Sequence, residues 1–127
     1  AIVYGRLPLM ITENCLVQNE TGCRLNRQGP CVPEDGPCRC GQPNVLVDRT
    51  GAAFPLLPAY GHRTEIQNSK PLYLADRPEH RRLGLAYARL RFTTETAEEC
   101  VSVVQNYLDA APAAGDFTRG LYERGVE

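Results

Sequence analysis

Five of the chain's six cysteines fall in residues 15 to 40, CLVQNETGCRLNRQGPCVPEDGPCRC. Thiols at that density support three chemistries: disulfide staples, ligation of a metal or iron–sulfur centre, or a nucleophile with bystanders. Seven residues separate Cys15 from Cys23 and Cys23 from Cys31, six separate Cys31 from Cys38, one separates Cys38 from Cys40, and 21 lie between Cys40 and His62. None of these is the C-x2-C knuckle of a zinc ribbon. Thiolates are nevertheless soft ligands suited to zinc and iron–sulfur clusters, and a loop without periodicity gains order by folding around a closed site. Cys15 and Cys40 are the foremost ligand candidates on this ground; Cys23, Cys31 and Cys38 are individually less specified. Cys100 stands apart on the apolar stripe of a helix and reads as a small buried apolar residue.

Nucleophilic catalysis has little local support. His62 and His80 are the two histidines, and His80 sits in the charged run PEHRRLG, which reads as a solvated helix face. Neither a G-x-S-x-G elbow nor an H-E-x-x-H helix occurs, and nothing near His62 specifies a Cys/His pair. Thr50-Gly51 is too short for a phosphate cradle. Arg24, Arg27 and Arg39 in the cysteine loop, with Arg63 close by, could contact phosphate or remain solvated charges.

The elements that must position these groups come from a chain of 127 residues, long enough to bury a core without disulfides. Its net charge of −1 and pI near 6.2 exclude a global basic field for nucleic acid or membrane, so an RNA contact would be local. No apolar run approaches the roughly 18 residues that cross a bilayer, and the opening AIVYGRLPLMI lacks the regions of a signal peptide. A cytoplasmic protein without membrane contact is the expectation, and in a reducing cytosol clustered cysteines favour ligands over disulfides. The start at Ala1, inside an apparent strand, reads as a cut from something larger.

Residues 2 to 11, IVYGRLPLMI, read as a strand that bends or ends near Pro8. Residues 12 to 43 form the cysteine-rich loop, too long to lie structureless in a compact domain unless cross-linked. Residues 44 to 58, NVLVDRTGAAFPLLP, predict a hairpin turning at Asp48 to Gly51. Pro71 to Ala75 suit a strand buried on both faces. A helix over RPEHRRLGLA, a strand over ARLRFT, and a helix opened by the capping box Thr96-x-x-Glu99 follow. Cys100, Val103, Val104, Tyr107, Leu108 and Ala111 form its apolar stripe, with Pro112 and Gly115 ending it. Alternating strands and helices predict an α/β fold, or α+β as an isolated piece: the final β/α units of a TIM-like barrel in residues 1–111, then a tail in 112–127.

The phrases VYGRLPLMITENC, VLVDRTGAAFPL, HRTEIQNSKPLYLAD and RLRFTTET, in that order, resemble the C-terminal portion of the collagenase-like peptidase family U-thirty-two. The resemblance runs over roughly residues 2 to 111, and FTRGLYERGV also resembles the family's tail. It implies the last part of a β/α barrel. Members carry a peptidase label, of unknown catalytic type, while others act without oxygen as hydroxylating enzymes on transfer RNA, on quinone precursors, or on a cytidine of ribosomal RNA, the branch most resembled. These hold a four-iron, four-sulfur cluster on four cysteines. The resemblance places ligands at Cys15, at Cys23, and at Cys40 or Cys38, and puts His62 where relatives have the fourth cysteine.

That histidine departs from the family pattern. It implies a cluster with a histidine ligand and altered potential, a zinc site instead, or loss of the centre. Three functions follow as expectations: an iron–sulfur enzyme that hydroxylates RNA bases, with Arg24, Arg27, Arg39 and Arg63 as RNA contacts; a peptidase with a nucleophile that alkylation silences; and a zinc-stabilised structural or binding module. The piece alone is expected to be inactive, because a barrel site draws on several strands. Open sheet edges would favour self-association, and oxidation would pair Cys15 with Cys40 or Cys38 where the sulfurs lie close enough.

Overall fold

The computed structural model describes residues 1–21, 39–77, 79, 82 and 84–122. In chain order the elements are β1 (Ile2–Gly5), β2 (Pro8–Thr12), α1 (Leu16–Thr21), a 3-10 turn (Arg39–Gly41), β3 (Asn44–Val47), β4 (Ala53–Ala59), β5 (Arg63–Gln67), β6 (Leu72–Tyr73), β7 (Arg89–Leu90) and α2 (Ala97–Leu108). The architecture is mixed α/β with two small sheets, and neither closes into a barrel among the described residues. No helix among them is long and apolar enough to cross a membrane. Two units divide the chain: Ala1–Leu7 with Lys70–Glu127, and Pro8–Ser69.

In the first unit the sheet order is β6-β1-β7, with β6 antiparallel and β7 parallel to β1. Of the expected parallel β/α pattern, the described residues show the parallel β1–β7 pair followed by α2. The run Leu72–Ala75 is buried on both faces, as its unbroken apolar character predicts. Leu72 and Leu74 pack with Val3 on one side, Tyr73 and Ala75 with Tyr4 on the other. The strand expected over residues 2 to 11 is two strands in different sheets, and it breaks before Pro8. Gly5 makes the break possible: its φ is +118°, and a Cβ there would lie 2.0 Å from the Arg91 carbonyl oxygen. The expected strand ARLRFT shortens to β7. Most of the expected helix over RPEHRRLGLA lies outside the described residues, and Glu79, Arg82 and residues 84–87 are not α-helical.

The helix α2 starts where the capping box predicts. Thr96 Oγ1 accepts from the Glu99 amide at 3.3 Å, and Glu99 Oε2 accepts from the Thr96 amide at 2.7 Å. Val103 and Tyr107 pack on the core, whereas Val104 and Leu108 of the same stripe remain 41% and 72% exposed. Tyr107 is the polar rivet of the unit: its hydroxyl accepts from the Leu74 amide at 2.8 Å and donates to the Val3 carbonyl. Burial pushes that hydroxyl up to about 12. The helix ends at Leu108 rather than 111, where Ala110 adopts a φ of 52°. The chain then returns to β6, with Thr118 exchanging backbone hydrogen bonds with Tyr73 and Pro71 at 3.1 and 2.9 Å. Arg119 grips the Asp76 carboxylate at 2.6 and 2.7 Å and lies over Phe117.

The second unit is an antiparallel sheet in the order β2-β5-β4-β3. Its hairpin β3–β4 has the predicted turn. Asp48 Oδ1 accepts from the Thr50 hydroxyl at 2.6 Å and from the Thr50 and Ala52 amides at 2.7 and 3.0 Å, while Gly51 takes φ +86°. Those donors, the Thr50 hydroxyl foremost, hold the Asp48 carboxyl below its usual range. β4 pairs with β3 over Ala53–Leu56 and with β5 over Leu56–Ala59. This stagger leaves Pro55 paired with β3 alone and Pro58 with β5 alone, so each proline nitrogen can face the edge that has no ladder partner at its position. Leu56 and Ile66, directly cross-strand, form the buried centre. The edge strands instead expose Leu9, Met10 and Ile11 on β2 and Val45, Leu46 and Val47 on β3, each by 46–57%.

Candidate metal centre

Cys15 follows the end of β2. There Thr12 pairs with Thr64 at the start of β5. The Thr12 hydroxyl donates to the Asn14 carbonyl at 2.6 Å and accepts from the Thr64 amide at 3.3 Å. One residue beyond Cys15, the Leu16 amide donates to Thr64 Oγ1 at 3.0 Å. Thr64 is only 3% exposed, so this bond is sheltered from competing water. The backbone before Cys15 is thereby tied to Thr12 of β2 and the backbone after it to Thr64 of β5, and Cys15 itself is half-buried.

Cys40 sits in the 3-10 turn, which packs against α1 and β4. The sequence RCGQPN cannot continue as a helix because Pro43 follows, and Asn44 supplies the stop. Its side-chain amide donates to the Arg39 carbonyl at 2.8 Å and to the Gln42 carbonyl at 2.7 Å, bracketing Cys40. The Gln42 amide closes the turn on Arg39 O at 3.1 Å. Cys40, too, is half-buried.

His62 lies in the tight turn Tyr60-Gly61-His62 between β4 and β5, whose last paired residues are Ala59 and Arg63. Gly61 and His62 both adopt positive φ, 76° and 58°. Histidine is one of the few non-glycine types enriched there, and the conformation still costs on the order of 1 kcal/mol. Next to it, Arg63 pairs with Glu13 at 3.0 Å; both side chains are well exposed, so the pair contributes under about 1 kcal/mol. Tyr60 is 98% exposed.

Strand register brings these segments to one end of the sheet. Thr12, Ala59 and Arg63 lie at that end, and Asn44 pairs with Leu56, three residues from Ala59 or roughly 10 Å along the strand. Cys15, Cys40 and His62, with Arg39 and Arg63, therefore share it. Cys23, Cys31, Cys38, Arg24 and Arg27 lie outside the described residues, between α1 and the 3-10 turn that packs on it. Among the described residues no three His, Cys, Asp or Glu side chains form a group able to hold a metal ion. None of Cys15, Cys40 and Cys100 is in a disulfide, and Cys100 belongs to the other unit, on α2.

Three residues of this end escaped the sequence reading. Thr64 and Asn44 look like ordinary strand-edge polar residues, and Tyr60 like a loop aromatic. A signal for Asn44 exists in its place between Pro43 and the apolar run VLV, where a side chain that bonds local carbonyls is favoured. No protein-family model, curated protein or solved structure matches this chain.

Proposed function

We propose that this chain is a piece of a family U-thirty-two protein, from the last β/α units of its barrel, and that its parent is an iron–sulfur-dependent, oxygen-independent hydroxylase of RNA bases. The observation that supports this reading is the convergence of three separate segments, carrying Cys15, Cys40 and His62, at one end of the second sheet. Thiolates and an imidazole are donors that suit a cluster or zinc. On this reading the ligands would be Cys15, Cys23, Cys40 or Cys38 in its place, and His62; the three described ones share an end of the sheet without forming a metal-holding group by themselves. A bound cluster supplies one-electron transfer. The chain's own residues orient the donors: Thr64 and Thr12 fix the Cys15 backbone, and Asn44 fixes the turn that bears Cys40.

An RNA substrate is supported by the surroundings of that end. A fully exposed aromatic ring at Tyr60, with Arg39 on the neighbouring turn and the Glu13-paired Arg63 three residues on, combines a stacking surface with a local cation, as single-stranded RNA requires. The cation need not be global, which agrees with the net charge of −1.

Zinc is the second reading, because mixed thiolate and histidine sets are common in structural zinc sites. Metal and acid-labile sulfide analysis of protein purified without oxygen, on wild type and Cys15→Ala, separates the two. Iron with sulfide and a broad visible charge-transfer band, lost in the variant, is the expected result. Zinc alone transfers the proposal to a structural centre, and no metal in either protein refutes both.

A further inference from the structure

Around Cys15 and Cys40 two uncharged side chains do something that the strands alone do not require. Thr64 spends its hydroxyl on the amide of Leu16, which belongs to a different segment 48 residues away in sequence, and Asn44 spends both amide hydrogens on carbonyls that bracket Cys40. Neither bond belongs to a sheet ladder. Both anchors sit on strands whose register is fixed by cross-strand pairing, Thr64 opposite Thr12 and Pro58, and Asn44 opposite Leu56.

We infer that Thr64 and Asn44 are the positioning residues of the cysteine end, holding the backbone at Cys15 and at Cys40 in a fixed relation before anything is bound. This deepens the metal proposal and rests on it for the ligand class, a soft divalent cation or cluster, but the positioning itself is a property of the metal-free chain. Pre-ordered donors lower the entropy lost on binding, so removing an anchor weakens metal retention without touching a ligand. The two anchors also act on different cysteines, which makes their effects separable.

The test uses the full chain with cobalt(II) as the probe, following the thiolate-to-cobalt absorption. Thr64→Val keeps the shape and loses the hydroxyl; Thr64→Ser keeps the hydroxyl; Asn44→Asp keeps the shape and loses the donors. Thr64→Val and Asn44→Asp are expected to weaken cobalt binding about 10–100-fold, the range for groups that orient ligands, with Thr64→Ser near wild type. A second readout is alkylation of the metal-free proteins by iodoacetamide, with each cysteine resolved by mass. Thr64→Val should speed labelling of Cys15 about fivefold and Asn44→Asp that of Cys40, each leaving Cys100 on α2 unchanged.

Unchanged cobalt affinity in both variants, with wild-type binding lost in Cys15→Ala, overturns the positioning inference and leaves the metal proposal standing. Absence of cobalt binding in wild type refutes the metal proposal, and the alkylation pattern alone then decides the positioning. Equal acceleration at Cys15, Cys40 and Cys100, or none at all, overturns it.

Discussion

Replacing Tyr107 by Phe removes one oxygen from the first unit and leaves its ring packing in place. The lost hydroxyl accepts from the Leu74 amide at 2.8 Å and donates to the Val3 carbonyl, and Leu74 and Val3 are 5% and 1% exposed. No water reaches either group freely, so the Leu74 N–H is left with its desolvation penalty, about 1–3 kcal/mol, and the Val3 carbonyl loses a bond worth about 1 kcal/mol. The sum is roughly 2–4 kcal/mol. With a urea m-value of about 2 kcal/mol per molar, the unfolding midpoint falls by roughly 1–2 M while m stays constant. The same residue sets an alkaline limit. Its hydroxyl is raised from its ordinary value near 10 to about 12 by burial, so the folded state favours the proton. Stability from this group is fully present below pH 10 and is lost as pH rises from 10 through 12. Urea titrations at neutral pH and at pH 10 to 12 measure both effects on the two proteins. A midpoint shift below about 0.3 M at neutral pH, or an alkaline decline as steep in Tyr107→Phe as in wild type, refutes the reasoning.

Gly5→Ala should prevent the first unit from folding, seen as loss of near-ultraviolet circular dichroism from its tyrosine cluster, because the new Cβ meets the Arg91 carbonyl at 2.0 Å. Acid should destabilise the same unit: Arg119 holds the Asp76 carboxyl below its ordinary value near 3.8, so that contribution is present above pH 4 and vanishes as pH falls below it. Asp76→Asn should flatten the acid limb of a stability titration. On the proposed RNA reading, Tyr60→Ala should cost about 1–3 kcal/mol in binding of a single-stranded RNA oligonucleotide, with an unchanged melting temperature, since the ring is 98% exposed. Self-association through the apolar sheet edges should show as a concentration-dependent mass in sedimentation, reduced by the pair Met10→Lys and Val45→Lys; a monomer at all concentrations in the unsubstituted chain refutes it.

Local chemistry was legible in the sequence wherever one short segment determines its own structure. Thr96 and Glu99 announce the start of α2 because the capping box is closed within four residues. Asp48 to Gly51 announces the β3–β4 turn for the same reason, and the burial of Leu72–Ala75 follows from an unbroken apolar run. Pairing partners were not legible. Nothing in PLYLA states that β6 lies antiparallel to β1, or that Gly5 must admit a carbonyl from Arg91, since each depends on a segment more than 60 residues away. The stripe on α2 overstates the core for a related reason: periodicity records which residues share a face, not how much of that face another element covers. At the cysteine end, types and spacing singled out Cys15, Cys40 and His62, while Thr64 and Asn44 are defined by bonds to distant or main-chain atoms and leave almost no trace in composition.

The prolines of β4 act as a ratchet on alignment. Pro55 and Pro58 are three residues apart, so their nitrogens point to opposite edges of the strand, and in the observed stagger each can turn toward the edge without a ladder partner at its position. Sliding β4 by one residue against either neighbour would thrust a nitrogen that carries no hydrogen into a working ladder and would also turn Leu56 from the buried face outward. The slipped sheet is penalised twice over, once in hydrogen bonds and once in apolar contact. Because β4 ends in the turn that carries His62, and β3 begins at the residue that clamps Cys40, this alignment also sets the span between those two side chains. Two residues with no ligand groups of their own thus help to fix the spacing of two that the metal proposal names as ligands.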